Sequence, residues 1–406
     1  MWEEKELESV EFIPEPTDSR IVSAADPNTV GHQESWRSEV LGWAPEPVPV
    51  IPRRDLTSQR IVNVGVFLIV LLILWGAWRS QYLISDLPPP TSEWAFEDSG
   101  IRDLQELGFD GTGVRLCMVD TGIDAEHPDL QNLDLVYKDF ITGDSMIRDH
   151  GTLGHGTMMA GIVAGDGVID GIAPGITLGM AAALGPDSDG ENSANEQRVA
   201  NAIRWCWEQF DADIISLSLG GETNPNATRE GPTTNAVKLA IANGVYVVAA
   251  AGNDGGPDDD GMVATPSNVK EVISVGALNK EGNIWDGSSI GSTVGSDGTN
   301  RTDPHLKPEI SAPGVNIIST GPSNTYYSST GTSDSTVFVA GALALILQAE
   351  PSLADNPNSS CMELVKLALR DSANPLVDDI EHNQKWGYGA LDGNGWLLEI
   401  RQSGTC

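Results

Sequence analysis

The chain has 406 residues, and its 58 acidic and 23 basic side chains give a formal net charge of -35. Such a charge repels the phosphates of DNA and RNA, which excludes nucleic acid as a partner. About 300 residues remain once the terminal segments and linkers are set aside, and that length suits one large domain with its own core.

The N-terminal segment, residues 1–60, is rich in Glu and Pro and has little hydrophobic periodicity. A chain of this composition cannot bury enough apolar surface to form a core. We therefore expect a disordered acidic tail over residues 1–60.

The next segment, residues 61–78, is an apolar run with no charged side chain, and Trp75 and Trp78 lie near its end. As a helix rising about 1.5 Å per residue it would span about 27 Å, close to the hydrocarbon core of a bilayer. Trp side chains also favour membrane interfaces. The run predicts one transmembrane helix in contact with the lipid bilayer, and a buried core helix is the alternative.

The charges on either side of the apolar run predict its orientation. Arg53, Arg54 and Arg60 precede the run, whereas Arg79 alone follows it closely. Positive charge near a span is retained on the cytoplasmic side. We therefore expect a single-pass protein of the cell membrane, with its N-terminus in the cytoplasm and its C-terminal domain outside.

The remaining chain divides into a linker, a folded domain and a short tail. Residues 79–94 contain three consecutive prolines and are predicted to be a stiff linker, and residues 401–406 form a C-terminal tail. Residues 95–400 alternate short β-rich runs with helical patterns. This alternation predicts an α/β fold, a parallel sheet with helices on both faces, in which chemistry gathers at the carboxyl ends of strands. The predicted strands are Leu116–Val119, Ile176–Ala181, Ile214–Ser218, Val245–Ala250 and Val272–Val275, and the predicted helices are 156–165, 194–210, 233–243 and 336–350.

One stretch of the domain combines small polar residues with a strongly apolar helical pattern. It begins with Gly-Thr-Ser-Asp-Ser-Thr at Gly331 and continues to Glu350, where Pro351 ends the pattern. A serine at the N-terminal edge of a buried helix is held rigidly near backbone N–H groups that stabilise developing negative charge. Ser333 is therefore a candidate nucleophile, although small residues at a helix start also serve as plain caps.

Three further polar residues stand at strand ends or helix starts upstream. Asp120 ends an apolar strand, His155 opens a helix in His-Gly-Thr, and Asn253 follows a strand in Ala-Ala-Gly-Asn. Asp120 could orient His155, and the Asn253 amide could donate a hydrogen bond to an oxyanion. Each residue also has a plain alternative: a turn for Asp120 and Asn253, and a helix cap or metal ligand for His155. No Glu-x-x-His pattern accompanies His155, which argues against a metal.

Six motifs occur in one order along the chain, and together they resemble the subtilisin-like serine proteases, or subtilases. The resemblance covers roughly residues 95–400. The motifs are Asp-Thr-Gly-Ile-Asp from Asp120 with His-Pro-Asp-Leu from His127, His-Gly-Thr from His155, Ser-Leu-Ser-Leu-Gly-Gly from Ser216, Ala-Ala-Gly-Asn ending at Asn253, Ala-Pro-Gly from Ala312, and Gly-Thr-Ser ending at Ser333.

The resemblance implies a serine endopeptidase that cleaves protein or peptide substrates through an acyl-enzyme and requires no cofactor. Ser333 would be the nucleophile, His155 the general base and Asp120 the group that orients the imidazole. Asn253 and the backbone N–H of Ser333 would bind the oxyanion. Two segments would bind substrate, the first by pairing with its backbone and both by walling the pocket for the residue before the cut: Ser218, Leu219 and Gly220, and Ala250, Ala251 and Gly252.

The chain departs from the pattern of the family around the candidate nucleophile. Asp334 stands where Met is usual, and its carboxylate is expected to favour the charged form of the His155 imidazole. The alternative to an active protease is an inactive binding module with the same fold, although the triad residues and Asn253 are all present. Residues 79–94 also leave no room for the inhibitory pro-domain that the family often carries. The other departures are Ser335, Val337, Phe338 and Met158, where Ala, Pro, His and a second His are usual.

The four cysteines show no metal-ligand spacing. Cys117 lies in an apolar strand and Cys206 in a Trp-rich helix, so both are predicted to be buried free thiols. Cys361 and Cys406 flank the C-terminal segment and could form a bridge.

The acidic loop Asp-Asp-Asp-Gly at 258–261 could hold a structural calcium ion, as loops in subtilases often do. A solvated acidic loop without a bound ion is the alternative, and we favour it.

Overall fold

The computed structural model describes residues 56–79, 91–221, 230–257, 259–295, 298–355, 359–377 and 381–404. The chain divides into two compact units, Met1–Leu87 and Pro88–Cys406. Most of the predicted tail and of the predicted linker lies outside the described residues.

The first unit contains helix α1, Leu56–Arg79, which includes the whole predicted span. Between Ile61 and Trp75 its large apolar side chains are 45–69% exposed. Among the described helices, Thr332–Ala349 has the length and hydropathy of a membrane span, but 89% of it is buried inside the second unit, which makes it a core helix. The apolar stretch of α1, Arg60–Gly76, is shorter.

A parallel sheet forms the centre of the second unit. The strands in the described part of this unit are β1 (Arg115–Asp120), β2 (Asp134–Asp139), β3 (Thr177–Ala182), β4 (Gly185–Pro186), β5 (Asn192–Ser193), β6 (Ile214–Leu217), β7 (Tyr246–Ala250), β8 (Ile273–Leu278), β9 (Ile310–Pro313), β10 (Val315–Gly321) and β11 (Thr325–Thr330). Seven of them pair in the order β2-β3-β1-β6-β7-β8-β9, and every neighbouring pair is parallel. The pairs β4–β5 and β10–β11 are antiparallel.

Helices pack on this sheet. Those in the described part of the second unit are α2 (Glu93–Asp98), α3 (Ile101–Glu106), α4 (His155–Ala164), α5 (Glu196–Glu208), α6 (Pro232–Ala242), α7 (Thr332–Ala349), α8 (Ser352–Asp355), α9 (Ser359–Ser372) and α10 (Gly393–Ser403), with 3-10 turns at Pro128–Leu130 and Thr152–Gly154.

Side chains of β1 alternate between two cores, because successive residues of a strand point to opposite faces of the sheet. Leu116 and Met118 pack with apolar residues of α4, α7, α9 and α10, whereas Cys117 and Val119 pack with those of α5 and α6. Helix α7 lies within the first core and is buried from Thr332 to Leu347. The predicted parallel α/β fold is confirmed, and the two cores place helices on both faces of the sheet.

Every predicted strand and helix of the domain has a counterpart in the structure, with ends that move by a few residues. The predicted helix 336–350 begins four residues earlier, at Thr332, so Ser333 lies in its first turn. Strands β2 and β9 of the seven-stranded sheet are absent from the sequence prediction, as are the strands of the two antiparallel pairs, β4–β5 and β10–β11. From Asp134 to Lys138 the residues of β2 alternate between exposed and half-buried, and β9 has the sequence Ile-Ser-Ala-Pro, so neither forms a continuous apolar run.

The prediction that Cys117 and Cys206 are free thiols is wrong. Cys117 on β1 and Cys206 on α5 form a disulfide bond, with sulfur atoms 2.03 Å apart, and the bond joins the sheet to the helix that covers it. Both residues are fully buried, so their apolar surroundings give no sign of the bond in the sequence. Cys361 is also disulfide-bonded. Its predicted partner, Cys406, lies outside the described residues.

We predict that the Cys117–Cys206 bond adds about 4 kcal/mol to the free energy of unfolding, because it restricts the unfolded chain over a long loop of 89 residues. Cys206→Ala should lower the midpoint of denaturant unfolding, and adding Cys117→Ala should change it little, because the bond is already lost. Equal midpoints for the wild type and the single variant would contradict the prediction.

Candidate active site

The four candidate catalytic residues lie at the ends of elements that converge on one cleft. Asp120 is the last residue of β1, His155 the first of α4 and Ser333 the second of α7. Asn253 follows the end of β7 by three residues. His155, Asn253 and Ser333 line the same cleft, whose volume is about 1730 Å³.

Asp120 lies behind the imidazole and holds it. Its side chain is 2% exposed, and its Oδ1 lies 2.7 Å from Nδ1 of His155. The backbone N–H of Thr121 donates to the same oxygen at 2.7 Å. A carboxylate acceptor at Nδ1 favours the tautomer that carries its proton there, which leaves Nε2 free to accept a proton.

The start of helix α4 is anchored by residues that sequence reasoning missed, Thr121 and Asp149. The residue before the helix is Gly154, which has no side chain to cap the first turn. Instead, Gly156 N–H donates to Thr121 Oγ1 at 2.9 Å, and Thr157 N–H donates to Asp149 Oδ2 at 2.9 Å. Thr121 Oγ1 in turn donates to Asp149 Oδ1 at 2.6 Å.

Close packing also fixes the position of α4. A Cβ at Gly156 would lie 2.1 Å from the carbonyl oxygen of Gly122, and one at Gly161 would lie 2.2 Å from Thr320 Oγ1. Both distances are far shorter than real contacts, so only glycine lets α4 approach the end of β1 and strand β10. The small residues of this helix therefore bring His155 within reach of Asp120.

The pKa of His155 reflects its surroundings. Burial disfavours the charged imidazole, but the carboxylate of Asp120 more than offsets this, and Asp334 and Asp149 add to its effect, which raises the pKa of His155 to about 9. The imidazole is thus held in a field that strongly favours its protonated form.

Asn253 is oriented by Thr332. Its Oδ1 accepts hydrogen bonds from the backbone N–H of Thr332 at 2.9 Å and from Thr332 Oγ1 at 2.8 Å. With Oδ1 occupied in this way, the amide Nδ2 remains as a donor. A Cβ built on Gly331 would lie 3.4 Å from this Nδ2 and 3.7 Å from the backbone nitrogen of Ser333. Two donors therefore face the small space beside Gly331.

Ser333 itself is 8% exposed, at the surface of the cleft. Its hydroxyl donates to the carbonyl oxygen of Ser218 at 3.4 Å, and the Ser218 hydroxyl donates to the Ser333 carbonyl oxygen at 3.3 Å. As a residue of the first turn of α7, Ser333 has a backbone N–H without a partner inside the helix. Its position is consistent with both an attacking hydroxyl and an oxyanion donor.

The residues predicted to bind substrate divide into two groups. Ser218, Leu219 and Gly220 line the cleft, whereas Ala250 and Ala251 are buried behind its surface. Both groups contact Ala264, a residue that the sequence analysis did not identify. A Cβ on Gly220 would lie 2.6 Å from the methyl group of Ala264, and one on Gly252 would lie 3.2 Å from it.

The acidic loop at 258–261 uses its described carboxylates on backbone groups. Asp259 accepts from Gly261 N–H at 2.6 Å and from Ile290 N–H at 2.9 Å, and Asp260 accepts from Met262 N–H at 2.8 Å. Asp258 lies outside the described residues. Within the described ranges, no three His, Cys, Asp or Glu side chains are grouped to hold a metal ion. The described carboxylates of this loop are thus engaged with backbone N–H groups.

Comparison with known proteins gives concordant matches. A model of the subtilase family matches residues 111–389. Subtilisin DY of Bacillus licheniformis is 36% identical over 273 residues, which cover 66% of this chain and 89% of that protein. The major intracellular serine protease of Bacillus subtilis (strain 168) is 36% identical over 253 residues, which cover 60% and 71%.

A solved structure, that of the prenylagaramide maturation protease PagA, aligns with a TM-score of 0.58 over 74% of this chain and 98% of that one. Its sequence is 24% identical, so this likeness concerns the fold. Nothing in these comparisons supports an inactive binding module. The family match spans every candidate catalytic residue from Asp120 to Ser333. The chain therefore belongs to the subtilase family and is a serine endopeptidase.

Proposed function

We propose that the chain hydrolyses peptide bonds through an acyl-enzyme formed on Ser333. The observation that carries this proposal is the 2.7 Å pair of Asp120 and His155 beside a cleft that His155 shares with Asn253 and Ser333. These residues supply the orienting acid, the base, the oxyanion donor and the nucleophile that acyl transfer needs.

Acylation begins when Ser333 Oγ attacks the scissile carbonyl carbon and its proton passes to Nε2 of His155. The carbonyl oxygen becomes an oxyanion, to which Asn253 Nδ2 and the backbone N–H of Ser333 donate. His155 then gives the proton to the leaving amine as the C–N bond breaks. Asp120 stabilises the imidazolium throughout and does not take up a proton itself.

Deacylation repeats these steps with water. His155 takes a proton from the attacking water, the second tetrahedral intermediate uses the same two donors, and the proton returns to Ser333 Oγ as the ester C–O bond breaks. The net reaction consumes one water molecule and cleaves one peptide bond.

Protein or peptide substrates in an extended form suit this cleft. Strand β6 ends at Leu217, and the chain continues through Ser218, Leu219 and Gly220 along the cleft wall. An extended peptide would pair with this segment as an added strand, through main-chain hydrogen bonds that do not depend on its sequence.

We also propose that α1 anchors the protease in a membrane. Its apolar side chains are exposed on all sides, and no charged residue interrupts residues 61–78. A helix that is hydrophobic all round needs an apolar environment, and a bilayer supplies one.

The proposed orientation places the second unit outside the cell. The Arg residues before α1's apolar run support it, and so does the Cys117–Cys206 disulfide, since such bonds persist in oxidising compartments and are rare in the cytosol.

Ser333→Ala should remove hydrolysis of a casein-like substrate almost entirely, because no other group can form the acyl-enzyme. Asn253→Ala should lower kcat by about 10²–10³ with little change in KM, because an oxyanion donor acts only in the transition state. Steady-state kinetics on purified full-length protein would measure both effects. Wild-type hydrolysis by Ser333→Ala would refute the assignment.

Gly331→Ala offers an independent test of the oxyanion site. The backbone of Gly331 is extended, with φ of 172°, so alanine is tolerated there. Its methyl group would nevertheless occupy the space beside Asn253 Nδ2 and Ser333 N. We expect unchanged unfolding and a kcat lowered by at least about tenfold, as when one donor is obstructed. Gly185→Ala is the matched control, because its added methyl group would lie 3.5 Å or more from its neighbours and Gly185 does not line the cleft. It should leave kcat unchanged. Full activity of Gly331→Ala would contradict the proposed oxyanion site.

The orientation can be tested with the inactive Ser333→Ala variant carrying a tag at each end. Added protease should digest the C-terminal tag on intact cells and spare the N-terminal tag. Replacing Arg53, Arg54 and Arg60 by Gln should reduce the fraction with this orientation. A protected C-terminal tag and a digested N-terminal tag would invert the proposed topology.

A further inference from the structure

The carboxyl group of Asp334 is buried beside the nucleophile and only half of it is hydrogen-bonded. Asp334 follows Ser333 in the first turn of α7 and is 0% exposed. Its Oδ2 accepts a hydrogen bond from Ser329 Oγ at 2.9 Å. Its Oδ1 is buried and has no hydrogen-bond partner. A buried carboxylate in this condition is costly unless a nearby cation compensates for it.

His155 is the group that can supply this positive charge. The interaction between the two side chains favours the ionised form of Asp334 and the protonated form of His155. Ser329 of β11 contributes a hydroxyl to Asp334, whereas Asp120 at the end of β1 and Asp149 before α4 act on the same imidazole. The imidazole therefore lies in the field of three carboxyl groups.

Asp120 alone would suffice to orient the imidazole, since it makes the hydrogen bond to Nδ1. Asp334 is absent from the residues that line the cleft, so it does not contact a substrate there. Its charge, however, acts on the residue that must accept the proton of Ser333. Asp334 can therefore affect the reaction through His155.

We propose that Asp334 is a positioning residue for the reaction, a second counter-ion of His155 that sets the pH range in which the imidazole is free to act as a base. This inference rests on the proposed function. It assigns a role to a position where the family usually has an uncharged Met.

The direction of the effect follows from the charges. A carboxylate stabilises the imidazolium relative to the neutral imidazole, and only the neutral form can take the proton of Ser333. The pKa of His155 is raised to about 9, so the base becomes free as the pH rises through that value. Burial raises the pKa of Asp334 to about 7, although Ser329 and His155 act to lower it. Between these two values the resting site holds an ion pair.

The same ion pair re-forms when His155 is protonated during acylation, so Asp334 has two opposite effects. It delays the release of the base to higher pH, and it stabilises the imidazolium in the transition state once the base is free. Removing its charge should therefore help catalysis near pH 8, where Asp334 is ionised and His155 is still protonated, and harm it near pH 10.

The test compares kcat/KM of the wild type and Asp334→Asn across pH, in full-length protein normalised to active sites. The ratio of variant to wild type should be about threefold larger near pH 8, where Asp334 is ionised and His155 is still protonated, than near pH 10, as expected when the carboxylate shifts the imidazole pKa by about one unit. A loss of structure would lower activity at both pH values and leave this ratio constant. Because Asp334 is buried, about 1 M salt should not abolish the difference.

Two further variants complete the kinetic test. Asp334→Met, which replaces the carboxyl group by the uncharged side chain usual in the family, should change the ratio in the same direction. Glu97→Gln, an exposed residue of α2, alters the net charge equally and should leave the ratio at one. A pH-independent ratio for both Asp334 variants, as in Glu97→Gln, would overturn the proposal.

Titration of His155 by NMR separates this inference from the proposed function. In the Ser333→Ala background, Asp334→Asn should lower the pKa of the His155 imidazole by about one unit. If the wild type shows no hydrolysis but the imidazole pKa shifts, the counter-ion stands and the proposed function fails. An unchanged imidazole pKa would refute the counter-ion whatever the kinetics.

Discussion

The structure depends on one buried hydrogen bond at the end of β1, between Asp120 and His155. Asp120 is almost fully enclosed, and its partner is the imidazole of His155 at 2.7 Å. Holding that partner in place requires α4 to approach the sheet more closely than any residue other than glycine permits at Gly156. Because the residue before the helix is Gly154, which has no side chain, Thr121 and Asp149 cap its first turn. The close packing of α4, its caps and the charges around it all help to maintain the hydrogen bond between Asp120 and His155.

The other half of the site is carried by α7, a helix buried on every side. It packs against strands β6 to β9 and against α4 and α10, and it is buried from Thr332 to Leu347. Its first turn supplies Ser333 and Asp334, and Thr332 fixes the amide of Asn253. The proposed nucleophile and the proposed oxyanion donor are thus both positioned by the first turn of α7, as preorganised stabilisation of charge requires.

Sequence reasoning succeeds where a property is local. Continuous apolar runs identify β1, β3, β6, β7 and β8, and the polar residues that end them mark the site. It fails where a property depends on residues distant in sequence. Ala264 lies between the two substrate segments but belongs to no motif. Cys117 and Cys206 are 89 positions apart, and each lies among apolar residues, so the sequence around them indicates only that they are buried. Asp149 is missed because its partners are Thr121 and Thr157, which only the folded chain brings to it.

In the proposed mechanism, His155 activates Ser333 for covalent catalysis. A fluorophosphonate reacts only with a serine whose proton is removed by a positioned base. Intact-protein mass spectrometry followed by peptide mapping should find one adduct per chain, on Ser333, and His155→Ala should form it far more slowly. A wild-type protein that stays unmodified, or that carries the adduct on Ser218 or Ser335 instead, would contradict the account.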